Sequence, residues 1–140
     1  MEALIANTII YSNALLSAVF GLTYLFKSSF IRYHRAALEK NWYDLEYRTQ
    51  TLLLALMRAV SGGALLFTFI ITILQYQFNK SKFDWIPLTI LVSTLIFSGC
   101  SIYAMALVRI KTKGKPPLIF VIINVMIAFI GYYLNIKRIH

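Results

Sequence analysis

Cysteine occurs once in this chain, at Cys100. No disulfide can close within it, and no paired-cysteine redox or zinc pattern exists. Cys100 lies inside an apolar run, where the expected role is that of a small packing residue. Acidic residues are almost as scarce. There are five in 140 residues, and Glu39, Asp44 and Glu46 fall in one short stretch. None lies within an apolar run, so a proton relay or cation-coupled site there has no carboxylate to use. Histidine is limited to His34 and His140. Two imidazoles so far apart, with no carboxylate cluster, make no metal site. No catalytic, cofactor-binding or metal-ligating constellation emerges.

Charge of any sign is sparse, at 14 % of residues against 59 % apolar. Soluble domains carry about 25 % charged residues, and a soluble fold of this length cannot hide so much apolar surface. The net charge of +9 sits in short segments between apolar runs. The positive-inside rule and anionic lipid headgroups account for it there, and nucleic acid is not an expected partner.

What is abundant is apolar length. Four runs stand out, at 4–26, 59–78, 86–108 and 118–136, of 23, 20, 23 and 19 residues. About 20 helical residues cross a bilayer core, and helix is the open-chain choice there because backbone groups must pair internally. The expected fold is an all-α membrane protein, one four-helix transmembrane domain over residues 1–140. The three prolines sit at run starts: Pro87 opens the third run and Pro116-Pro117 the fourth. No basic residue precedes the first run, whereas Lys27, Arg32, Arg35 and Lys40 follow it. That order fits an anchor with its N-terminus outside, not a cleaved signal peptide. The segments 27–58 and 109–117, with Arg58 set aside, hold nine Lys and Arg, against four on the other side. They are therefore expected to be cytoplasmic, with both termini outside.

The first loop carries further patterning. Over 30–40, Phe30, Tyr33, Ala37 and Leu38 share one side and Arg32, Arg35 and Glu39 the other, an amphipathic helix expected at the inner headgroup surface. Ser28 and Ser29 are candidate caps for it. Asn41 with Asp44 resembles a capping box. Beyond it Trp42, Leu45, Thr49, Leu52, Leu56 and Ala59 recur at spacings of three and four. The second helix is thus expected to run unbroken over 42–78, its first half projecting into the cytoplasm or lying along the membrane surface. Trp42, Leu45, Leu52 and Leu56 would form a seam for a second copy or a membrane protein partner.

Each run shows a polar or small stripe at helical spacing. The first lines up Asn13, Ser17, Gly21 and Tyr24; the second Arg58, Ser61, Leu65, Thr68, Thr72 and Gln75; the fourth Asn124, Ala128, Gly131 and Asn135. The third offers two stripes, Ser93, Cys100 and Ala104 or Thr94, Ser98 and Ser101. Asn13, Ser17, Thr68, Asn124 and Asn135 are the candidate bundle polar positions, serving as interhelical glue or as the lining of a polar pocket. Arg58 is the sharpest feature. If the membrane begins near Leu52 it is an intramembrane charge needing a partner; if it begins near Ala59 the side chain snorkels to the headgroups. The headgroup reading is the expectation, with Arg35 and His34 as further candidate lipid or anion contacts.

Several four-helix families fail on their own residues. The first helix lacks the glutamate of small multidrug exporters, Cys100 lacks the partner that vitamin K reductase-like proteins need, and the surroundings of Arg58 lack the Glu-Arg, Asn and Glu pattern of membrane-bound glutathione transferases. The stretch Tyr33-His34-Arg35, Trp42, 52–58 and Ser61-Gly62-Gly63 resembles small four-helix bacterial membrane proteins over about residues 30–66. That resemblance implies a bacterial inner-membrane address and brings no activity. Two functions are therefore expected in turn: a structural or accessory membrane protein that binds a partner, or a small oligomeric transporter or channel lined by the polar stripes.

Overall fold

The computed structural model describes residues 2–139, with side chains from Ala3 onward. All regular structure among these residues is helical. Helix α1 spans Glu2–Phe26, α2 Arg32–Leu38, α3 Tyr47–Ser81, α4 Trp85–Lys111 and α5 Leu118–Lys137, with a single 3-10 turn at Trp42–Asp44. Four of them, α1, α3, α4 and α5, are long and apolar enough to cross a membrane. Sequential long helices run antiparallel, joined by short connections at 82–84 and 112–117 and by the longer segment 27–46 that carries α2. α1 packs on α3 and α5, and α4 packs on the same two, which closes the ring.

The α1–α3 seam is the most extensive and has a simple register. Gln75 Nε2 donates to Asn7 Oδ1 at 2.8 Å, Thr68 Oγ1 to the Ala14 carbonyl at 3.1 Å, and Ser61 Oγ to the Gly21 carbonyl at 2.8 Å. The α1 partners are seven apart, and the α3 donors step back by the same seven. This is the spacing at which two helices keep one face in contact, as in a left-handed coiled coil. Gly21 makes its rung close: a Cβ there would lie 3.0 Å from Leu65 Cγ and 3.3 Å from Ala64 Cβ, so the neighbours would have to give way. Gly131 is needed on the α1–α5 side, where a Cβ would collide with Ile10.

The apolar core occupies the end of the bundle nearest the chain termini. Ile10 and Ala14 meet Phe67, Ile71 and Phe78 of α3 and Ile86 and Ile90 of α4. Phe67 also stacks on Phe97 at 4.7 Å between ring centroids. Of the two stripes on α4, the inward one carries buried Thr94 and Ser98. Cys100 is exposed on the outer surface, which corrects its expected packing role. Thr72 is likewise exposed and bonds its own helix at the Thr68 carbonyl.

The unbroken helix expected from residue 42 is interrupted. Leu45 and Glu46 are extended, with ψ of 142° and 140°, and α3 starts at Tyr47. Two local forces explain the break. Asn41 donates from its backbone N–H and from Nδ2 to Asp44 Oδ2, at 3.3 and 2.9 Å, and so closes one isolated turn. Trp42 turns back edge-to-face onto Phe30, with ring centroids 5.2 Å apart. Gln50 Nε2 then donates to the Trp42 and Leu45 carbonyls, at 2.8 and 3.1 Å, the first of which also accepts the Leu45 N–H. Half-buried Trp42 and Leu45 thereby leave the projecting seam, on which Leu52 and Leu56 stay exposed. Neither Ser28 nor Ser29 caps α2. Its N-cap position is Ile31, whose N–H points to His34 Nδ1 at 3.4 Å.

Candidate functional site

The loop end of the bundle holds a cavity of about 320 Å³ between α1, α4 and α5. Its walls are apolar, including Phe20, Phe97, Met105 and Phe120, while Ser17, Ser98, Ser101 and Asn124 supply polar groups. No Lys, Arg, Asp, Glu or His lines it. Ser101 Oγ donates to the Phe97 carbonyl one turn back, so that hydroxyl is satisfied within its own helix. Ser98 is not: its Oγ is buried and without a partner, and the residue is 1 % exposed. Asn124, 7 % exposed, also has a buried side-chain oxygen with no partner.

Asn13 sits beside this group. Its Nδ2 donates to the Asn124 backbone carbonyl at 3.0 Å. Only the amide nitrogen can make that bond, so Asn13 Oδ1 is the end left buried and unpaired. Three unmet polar atoms in one half of a small bundle are a notable density, because each buried orphan costs roughly 1–3 kcal/mol.

The first loop roofs the cavity with Ile31 and Tyr33. The Tyr33 hydroxyl bonds that of Tyr24 on α1. α2 is tied to the α4–α5 connection at two points. Lys113 Nζ lies 2.8 Å from Glu39 Oε1, and that carboxylate raises the Lys113 pKa. At Gly114 a Cβ would stand 2.9 Å from the Tyr33 carbonyl, so only glycine allows this approach. His34 is half-buried, and burial lowers its pKa. The neutral ring suits its place, where Nδ1 accepts from Ile31 N–H.

Among the described residues Arg58 forms no ion pair with the acids of the first loop. Its Nη1 donates to the Tyr24 carbonyl at 2.8 Å and to the Lys27 carbonyl at 2.9 Å. These are groups that the end of α1 leaves unpaired, at the negative end of its dipole. The guanidinium is thus a C-terminal cap for α1 and the fourth rung of the α1–α3 seam. Arg35 is exposed, and no hydrogen bond or ion pair joins it to Arg58 or His34 among the described residues.

Asn135 belongs to a different cluster at the termini end. Its Nδ2 donates to Gln75 Oε1 at 2.9 Å, and Arg138 Nη1 donates to Asn135 Oδ1 at 3.1 Å and to Asn7 Oδ1 at 3.3 Å. Arg138 Nη2 reaches Asn79 Oδ1 at 2.9 Å, and the guanidinium lies 5.2 Å from the Phe78 ring centre. Three amide oxygens, from α1, α3 and α5, hold one cation, and no carboxylate among the described residues pairs with it. Arg138 lowers the pKa of nearby Lys82, after the larger effect of burial. Asn7, Asn79 and Arg138 are residues that sequence reasoning did not group. The available signal was the spacing of Asn79 four residues after Gln75 and of Arg138 three after Asn135.

Among the described residues no cluster of three His, Cys, Asp or Glu is placed to hold a metal ion; His140 lies outside them. No family model, curated protein or solved structure matches this chain.

Proposed function

We propose that this chain is an accessory protein of a bacterial inner membrane, acting by binding a partner at its loop end. In this reading the four long helices span the bilayer and both termini face outward. The basic segments 27–58 and 109–117 lie in the cytoplasm, and α2 rests at the inner headgroups. The charge asymmetry between the two sides supports the orientation.

The observation that carries the binding role is the stem of α3. The Arg58 bonds set the level at which α1 ends, so residues 47–57 extend beyond it by roughly 16 Å of helix. On that stem Leu52 and Leu56 are 60 % and 55 % exposed. Apolar side chains held in water on a rigid stem favour a protein contact. Cross-linking in native membranes tests it. A Leu52→Cys variant on a Cys100→Ser background is expected to give one discrete adduct, which Leu56→Asp abolishes while the monomer stays folded. A stem cysteine that gives no adduct above that of an Ile73→Cys control refutes the partner reading. A cytoplasm-active reporter on the C-terminus is expected to stay silent.

The cavity with its unpaired polar atoms favours a second reading, an oligomeric transporter or channel lined by the polar stripes. Solute flux into liposomes holding the purified protein, above that of empty liposomes, would select it.

A further inference from the structure

We infer that the loop-end cavity is a binding site for a neutral, single-chain amphiphile carrying a hydroxyl group. The argument begins with the polar atoms. Ser98 and Asn124 belong to the cavity wall, and Ser98 Oγ and the Asn124 side-chain oxygen are buried just behind its surface with no protein partner. One is a hydroxyl, able to donate; the other is an acceptor only. A guest hydroxyl has the chemistry for either, donating to Asn124 Oδ1 or accepting from the Ser98 O–H, once a small side-chain shift turns that group to the cavity. A ketone or ether could answer Ser98 alone.

The walls define the rest of the molecule. Around these two groups the lining is overwhelmingly apolar, so the body of the guest is aliphatic or isoprenoid. No charged side chain borders the cavity, so an ionised headgroup would be desolvated without a counterion, which is strongly unfavourable. A volume of about 320 Å³ falls at the small end of ligand sites, which run from roughly 300 to 1,000 Å³. It suits one chain. The roof of Ile31 and Tyr33 is where the chain would leave, beneath α2 and its Glu39–Lys113 tie.

The inference uses the membrane placement proposed above but not the partner reading. Its test uses the full chain in nanodiscs and a diazirine derivative of decan-1-ol. Labelling is expected on α4 and α5 residues of the cavity. Unlabelled decan-1-ol should compete about tenfold better than decane, the ratio that neutral hydrogen bonding to these atoms provides. The double variant Ser98→Ala/Asn124→Leu should bring the two competitors to parity while keeping the label in the cavity. Val121→Trp should fill the space and abolish labelling. If the double variant does not fold, Ser98→Ala alone should narrow the ratio. Equal competition by decane in the native chain overturns the inference, because the site is then only an apolar hole. Labelling that neither molecule displaces overturns it too, leaving ordered water as the partner of these atoms. The Leu56→Asp variant serves as control: it breaks the stem contact and leaves labelling unchanged, which separates failure of this inference from failure of the partner reading.

Discussion

The two ends of this bundle use the same amide side chains to opposite effect. At the termini end, Asn7, Gln75, Asn79 and Asn135 are bonded to one another or to Arg138, around a packed core of Ile10, Ile71 and Phe78. Toward the loop end, Asn124 and the mid-bundle Asn13 that bonds its carbonyl keep buried oxygens without partners, and Asn124 borders a cavity instead of a core. Paired amides inside apolar surroundings lock register across helices. Unpaired ones persist only if something else meets them or if their cost is tolerated. Composition does not separate the two ends; pairing does. The closed end has the character of a clamp, and the open end that of a receptor.

The comparison breaks most severely at Gln75. It is fully buried, and its amide joins α1 to α5 through Asn7 and Asn135. Gln75→Leu removes bonds that average about 0.6 kcal/mol each in membrane bundles and strands Asn135 Nδ2, while Arg138 still serves the oxygens of Asn7 and Asn135, so a total loss of about 2 kcal/mol is expected. Reversible unfolding in detergent measures it. A loss below about 0.5 kcal/mol, the level of an ordinary surface change, would mean that the clamp is not one.

Arg58 gives the next effect, where the two ends' logic meets on one seam. Its guanidinium satisfies two carbonyls of the α1 terminus. Arg58→Leu should cost about 1–2 kcal/mol, since water can replace part of the cap at this half-buried site. Anionic lipid should not restore the loss, because the bonds broken are internal. Full rescue by phosphatidylglycerol would return Arg58 to the role of a headgroup anchor.

How much of this was legible follows the range of each interaction. The inward face of α5 was readable, because Asn124, Ala128, Gly131 and Asn135 repeat at helical spacing and are the four buried residues of that helix. On α4 two stripes had equal claims, and only packing against the neighbouring helices turned Thr94 and Ser98 inward and left Cys100 outside. The break at Leu45 was hidden because Trp42 fits the helical repeat that the chain abandons in order to set it edge-to-face on Phe30. The Arg138 cluster draws on three helices, and its members meet only once the registers of all three are set. The same holds for the cavity: which asparagine finds a partner depends on tertiary neighbours that periodicity does not encode.

A smaller effect concerns the roof of the open end. Burial lowers the His34 pKa below its ordinary value near 6.5, and its Nδ1 accepts from Ile31 N–H. The folded state therefore binds this proton less readily than the unfolded one. Stability of α2 is complete above about pH 6.5 and declines as pH falls through the folded pKa. Amide exchange over 31–38 should accelerate as the pH is lowered from 7 to 5, relative to α5, and His34→Gln should flatten that dependence. Exchange that varies only with the intrinsic chemical rate would remove His34 as the cause.

The smallest expected effect sharpens the comparison most. Asn124→Leu deletes a buried amide, as Gln75→Leu does, in the same kind of helix and at similar burial. By residue type the two should cost the same. By pairing they should not. The Asn124 side-chain oxygen has no partner to lose, and the Asn13 bond goes to the Asn124 backbone carbonyl, which the substitution preserves. Replacing an unsatisfied polar group by an apolar one of similar size is nearly neutral or stabilising, and leucine adds apolar surface toward the cavity. The expected change lies within about 0.5 kcal/mol of zero or on the stabilising side. The measurement is the same detergent unfolding, run beside Gln75→Leu and without added amphiphile. A loss comparable to that of Gln75→Leu would show that Asn124 is paired in the folded protein, and the distinction between a closed end and an open one would fall with it.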